Sequence, residues 1–182
     1  MLYKLKYQGT LSIPMAEDTY VVIFSDLEER RAISVTTDYS VASLIKAHLD
    51  KVPEKEACAV SLASKLWRDA DPDTYEIQID ADRRDGFKAE LIDVDTDERF
   101  VMKTDQAVLL GLLSGLDFMA SGDAFQFFST PFEKGMSCVS LPITGMSISM
   151  LKAGLRQAVA EENYETASLL RDEMKRRNAL GI

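Results

Sequence analysis

Histidine and cysteine are scarce in this 182-residue chain, and long apolar runs are missing from it. With His48 its single histidine, the chain excludes any mechanism built on a histidine pair and any metal site with several histidine ligands. The two cysteines, Cys58 and Cys138, lie far apart and match no metal-ligand or redox spacing, so both are expected as reduced thiols. No apolar run approaches the roughly 18 to 20 residues needed to span a bilayer; the longest, Ala107 to Leu113, is ended by Ser114, Gly115 and Asp117. Met1 to Gly9 carries Lys4 and Lys6, and neither an apolar segment nor a small-residue cleavage site follows it. The expectation is a cytoplasmic chain with no membrane contact. A Gly-rich phosphate loop, the Cys/His spacing of a zinc site and a nucleophile elbow are also missing.

Positive charge is scarce as well. Lys and Arg number 21 against 30 Asp and Glu, a formal net charge of -9. The deficit lies in residues 1 to 144, with 15 basic and 25 acidic side chains; residues 145 to 182 hold 6 and 5. Broad nucleic-acid surfaces neutralise phosphates with Lys and Arg, so so acidic a body disfavours DNA or RNA as a partner, while a local basic pocket stays open.

Periodicity supplies the elements. Leu2 to Gln8 alternates in strand fashion, Thr19 to Phe24 is a β-branched and aromatic run, and Asp26 to Glu29 turns it into a returning strand at Ala32 to Val35. Val41, Leu44, Ile45 and His48 then fall at helical spacing, which predicts a helix over Asp38 to Leu49 capped by Thr37 or Asp38. A second helix opens at Pro53 with Glu54 and Glu56, and Ala57, Val60, Leu62, Leu66 and Trp67 are read as its core face. Tyr75 to Asp80, Phe87 to Val94 and Arg99 to Lys103 read as an antiparallel meander. Ala107 to Leu113 reads as a buried helix capped by Thr104 or Asp105, and Phe118 to Met119 and Phe125 to Phe128 as short strands. The fold class is therefore α+β: a mixed, largely antiparallel sheet with packed helices, plus a C-terminal helical hairpin.

That hairpin spans residues 147 to 178 and breaks at Glu162-Asn163. Leu151, Leu155, Ala158 and Val159 form one apolar stripe, and Tyr164, Ala167, Leu170 and Met174 the other. Helices of about 15 residues, roughly 22 Å, cannot bury both stripes alone, so the hairpin is expected to lie against something. The run Asn163-Tyr164-Glu165, Ala167, then Leu170-Arg171-Asp172-Glu173-Met174 resembles the UVR motif of the excision-repair subunits UvrB and UvrC and of several bacterial regulators. In that family the hairpin pairs with another helical hairpin. The resemblance implies a protein partner, or a second copy, met through Leu151, Leu155, Tyr164, Ala167, Leu170, Arg171 and Met174, and a link to DNA repair or stress regulation.

Residues 1 to 132, separated from the hairpin by a linker over 133 to 146, are similar to the bifunctional nuclease domain. The resemblance rests on Arg31 to Leu49, Tyr75 to Leu91 with Gly86-Phe87, and Phe100 to Gly115. It implies a homodimer and, if the chain cuts DNA or RNA, a Mg or Mn ion. The chain also departs from the family. Where the signature has Arg-Pro/Thr-Ser-Asp before its helix, this chain has Lys103, Thr104, Asp105 and Gln106; no Thr-His-Asp triplet stands near Lys51 to Cys58; and Phe-Glu-Ala is replaced by Tyr39-Ser40-Val41. Two functions follow: a scaffold with degenerate active-site motifs that acts through its hairpin, or a divalent-metal nuclease.

For the nuclease, Lys103 and Asp105 are the candidate catalytic residues, at a strand end before a helix where a phosphate could be held. An N-cap with an exposed lysine explains the same residues. Asp80 with Asp82, and Asp93 with Asp95 and Asp97, recur at period two and could approach a metal ion, though acidic strand ends are commonly solvated turns. His48 is expected in the core face of its helix, and Phe125, Phe127, Phe128 and Phe132 as core or interface packing without interleaved basic residues.

Overall fold

A computed structural model describes residues 1–13, 18–53, 58–67, 71–82, 86–134, 141–146 and 148–179. Strand β1 (Leu2–Ser12) pairs antiparallel with β2 (Thr19–Asp26), and β2 with β3 (Arg31–Asp38). The β2–β3 turn closes because the Asp26 carboxylate accepts from the Arg30 amide at 2.8 Å while Glu29 takes a positive φ of 54°. Helix α1 (Tyr39–Leu49) starts where Asp38 accepts from the Val41 amide at 2.9 Å, and α2 (Ala59–Leu66) follows with Cys58 as its N-cap.

Strands β4 (Tyr75–Asp82), β5 (Gly86–Asp93) and β6 (Arg99–Met102) form the expected meander. Helix α3 (Thr104–Ser114) ends at Gly115, whose φ of 70° suits a residue without a side chain. Strand β7 (Asp117–Ser121), helix α4 (Gly122–Phe128) and the short β8 (Thr130–Pro131) complete the body; α5 (Ile148–Ala160) and α6 (Tyr164–Ala179) form the hairpin.

The eight strands make one sheet in the order β6-β5-β4-β7-β1-β2-β3-β8, antiparallel throughout except for β4 beside β7. That parallel pair is the product of the crossover through α3, so the sheet is mixed and the class is α+β. Alternation sends Val22, Phe24, Ile33, Val35, Ile77, Ile79 and Phe118 to the helical face, where α1, α3 and α4 cover them. Helix α3 lies directly on the strands: a Cβ at Gly111 would stand 2.4 Å from the Phe118 ring and 3.0 Å from Ile77. The opposite face carries Lys4, Lys6, Gln78, Asp80, Lys88 and Glu90 over most of its width, and Phe132 covers Ile23 and Ala32 at the β2–β3 end. No helix among the described residues is long and apolar enough to cross a membrane.

Several expectations are corrected. Phe125 to Phe128 is helix, because the Ser121 hydroxyl accepts from the Ala124 amide and Phe125 and Phe128, three apart, share the core face while Phe127 is exposed. Phe132 is buried apart from them, against Ile23 and Ala32 on the opposite face of the sheet. The N-cap of α3 is Lys103, which makes no side-chain cap bond; the Thr104 hydroxyl donates instead to the Phe87 carbonyl at 3.2 Å, and Asp105 lies inside the helix. His48 is exposed, since α1 turns Val41, Ala42, Leu44 and Ile45 inward and leaves its last turn to solvent. Helix α2 begins later than its proline suggested, and 54–57 lie outside the described residues, as does Cys138. Its inner face is Ser61 and Ser64, with Val60 and Trp67 at the margin of the core; Leu62 and Leu66 point outward.

Candidate functional site

The C-terminal hairpin builds its own interior. Leu151 and Ala158 of α5 pack on Ala167 and Leu170 of α6, and all four are buried. Gly154 lets the helices close, since a Cβ there would already touch Leu170 at 3.4 Å. The turn is set by Glu162 at a φ of 58°, by the Asn163 amide donating to the Ala158 carbonyl at 2.8 Å, and by the Asn163 side chain accepting from Thr166 at 3.1 Å. Ile143, Met146 and Ile148 close the open end, so the surface that completes the stripes comes from the chain leading into the hairpin.

At that base sits Arg177, fully buried. Its guanidinium donates to the carbonyls of Met146 at 2.7 Å, Thr144 at 2.9 Å and Ile143 at 3.3 Å, and to Glu173 Oε1 at 2.8 Å. Arg176, bonded to Glu173 at 2.6 and 2.7 Å, and then Arg177 hold the Glu173 carboxyl below its ordinary range against the opposing effect of burial. The clasped segment is itself seated on the body: Gly86 faces the carbonyls of Thr144 and Gly145, and Gly145 faces the Phe128 ring. Arg177 thus fastens the hairpin by its base, and the turn at 161–163 lies at the far end of helices about 20 Å long. Of the residues singled out as partner contacts, Leu151, Ala167 and Leu170 form the interior, Leu155 and Met174 are half-buried, and Tyr164 and Arg171 face solvent. Val159, Tyr164 and Leu169 are exposed apolar side chains on this unit, Tyr164 at 67%.

The other candidates are placed apart from the hairpin. Lys103 is exposed, and the Asp105 carboxylate accepts from the Gln106 amide at 2.8 Å. Asp93 closes the β5–β6 turn by accepting from the amides of Asp95 and Thr96, both at 3.0 Å, with Asp97 at a φ of 57°. Asp80 lies on the open sheet face, takes a hydrogen bond from Gln78 at 3.0 Å and stands 3.8 Å from Lys88, while Asp82 ends the same strand. Among the described residues no group of three or more His, Cys, Asp or Glu is arranged to hold a metal ion.

Two features were not singled out from sequence. Lys88 lies between Asp80 and Glu90, with Arg99 3.6 Å from Glu90, a cluster that the β4–β5–β6 register assembles on the open face. Lys88-x-Glu90 at period two carried its signal. The latch was signalled by Glu173 and Arg177 at i and i+4, a spacing that also suits an ordinary surface pair. An open cleft of about 1300 Å³ runs beside α1, with Tyr7, Thr10 and Tyr20 on the strands and Tyr39, Ser43 and Lys46 on the helix. Burial pushes the Tyr7 hydroxyl above its usual range, and it shares a 3.0 Å hydrogen bond with Thr10. No model of a known protein family matches this chain, and no curated protein matches it in sequence.

Proposed function

We propose that this protein acts by binding another protein through its C-terminal hairpin, with the α+β body as the scaffold that holds the hairpin out. The observation that carries this reading is the Arg177 latch: a fully buried guanidinium serves three backbone carbonyls and a carboxylate at the hairpin base, while Tyr164 and Val159 are exposed beside the distal turn. A side chain desolvated this completely fixes orientation, and a fixed orientation lowers the entropic cost of binding at the free end. The UVR-like run Tyr164 to Met174 supports the same reading, with Tyr164 and Arg171 as the contacts, Leu155 and Met174 at their margin, and the buried leucine and alanine positions as the frame. A role in repair or stress regulation belongs to that resemblance.

The test compares complexes recovered with the wild-type protein, with Tyr164→Ala and with Arg171→Glu, each followed by chemical cross-linking. A partner cross-linked to α6 in the wild type and lost in both variants is the expected result. A cleavage assay on DNA and RNA with Mg or Mn runs beside it, using wild type, Lys103→Ala and Asp105→Ala. Metal-dependent cleavage abolished by both of those substitutions would overturn the scaffold reading in favour of the nuclease.

A further inference from the structure

Helix α2 turns its apolar stripe away from the protein. Ala59, Leu62, Ala63 and Leu66, at i, i+3, i+4 and i+7, are all exposed, Leu62 at 51% and Leu66 at 89%. The side that faces the body carries the buried Ser61 and Ser64 between the half-buried Val60 and Trp67: Ser61 bonds with the Cys58 backbone, and the Ser114 hydroxyl of α3 donates to Ser64 at 3.1 Å. Isolated exposed leucines are ordinary on a protein surface, but a full helical stripe whose serines are buried in its place is an interface pattern.

We propose that this face binds a second copy of the chain, with the two α2 helices packed antiparallel across a two-fold axis passing between Leu62 and Ala63. Two observations select this occupant. The stripe is self-complementary in size under that operation, because Leu62 then faces the partner copy's Ala63 and Leu66 faces its Ala59, a large residue against a small one at each position. Charge agrees: over 58–67 the only ionisable group besides the Cys58 thiol is Lys65, so this patch lets two copies of a chain with net charge -9 meet without opposing carboxylates. Its extent sets the strength. Eight residues of helix offer about 12 Å of contact, well short of the ~800 Å² per partner of a standard interface, so the dimer is weak, with a dissociation constant in the micromolar range or above. This inference is independent of the hairpin.

Sedimentation velocity of the full chain, in reductant and from about 10 to about 200 µM, tests it. The wild type should pass from monomer toward dimer across that range. Leu66→Glu should raise the dissociation constant at least about 30-fold with unchanged thermal unfolding, as expected when the two-fold buries a new carboxylate against Ala59 at both ends of the stripe. Adding Ala59→Lys to Leu66→Glu places a cation opposite each new carboxylate and should restore at least about 3-fold in affinity, a recovery that misfolding cannot produce. Val101→Glu, which puts a charge on the exposed edge strand β6, should leave association unchanged. A wild type that stays monomeric, a dimer indifferent to Leu66→Glu, no recovery in the double variant, or equal loss with Val101→Glu would each overturn the proposal.

Discussion

Replacing Arg177 by alanine removes the group that holds the hairpin to the body, and the structure sets the size of the effect. The guanidinium serves the carbonyls of Ile143, Thr144 and Met146 and one oxygen of Glu173. A buried acceptor left without a partner costs about 1 to 3 kcal/mol. Thr144 is exposed and Ile143 and Met146 are half-buried, so water reaches part of the vacated site, and Glu173 keeps Arg176. One or two acceptors therefore stay unpaired, and with the lost packing of the aliphatic stem the cost is about 3 kcal/mol, the low end for breaking a buried ion pair. Because the latch lies at the base of the hairpin, the loss should be local. Amide hydrogen exchange reads it directly: the last turns of α6 and the 143–146 amides should exchange about 100-fold faster, while β2 and β4 keep their protection. Arg177→Lys should fall between, since an ammonium cannot reach Glu173 and the three carbonyls together. Protection in α6 that changes by less than about threefold, or an equal loss in β2 and β4, would refute the reasoning.

Acidification should loosen the same contact. The Glu173 carboxyl is held below its unfolded value, so its contribution is full above the unfolded pKa of about 4.3 and is lost as pH falls through the lower folded value. Protection factors in α6, corrected for the intrinsic pH dependence of exchange, should therefore fall selectively below about pH 4, and Glu173→Gln should flatten that dependence; an unchanged pH profile in the glutamine variant would contradict it. Gly111→Ala should destabilise the body by about 1 to 3 kcal/mol despite alanine's better helix propensity, because its methyl would overlap the buried Phe118 ring; a raised midpoint in denaturant titration would show that α3 can lift off the sheet at little cost.

The strands and α1 were legible because their signals are local. Asp38 caps α1 through the next turn's amide, Asp26 and Glu29 close the β2–β3 hairpin, and alternation over Tyr75 to Asp93 marks the two strands that pair there. Elements read from composition alone fared worse. Phe125 to Phe128 carries the aromatic content of a strand, yet the Ser121 cap and the three-residue spacing of its buried rings decide for helix. At the start of α3, Thr104 has the chemistry of a cap, but a carbonyl of β5, distant in sequence, claims its hydroxyl. The Lys88 cluster was legible only in part: Lys88 and Glu90 share β5 at period two, whereas Asp80 and Arg99 come from the flanking strands and only the sheet register brings them in.

Periodicity reports that a helix has an apolar side and leaves open what that side faces. In the hairpin the stripes of α5 and α6 answer each other, and Leu151 and Leu170 disappear into the pair with Ile143 and Met146 as the lid. On α2 an equally regular stripe points to solvent, because α3 presents Ser114 to it and a serine meets that hydroxyl better than a leucine does. Burying Leu62 or Leu66 at that contact would leave the Ser114 hydroxyl without Ser64 as its partner, and the resulting cost opposes the gain from the leucine. The orientation of α2 thus follows from Ser64 on Ser114 together with Val60 and Trp67 against the core, and its leucines remain available for a contact outside the fold.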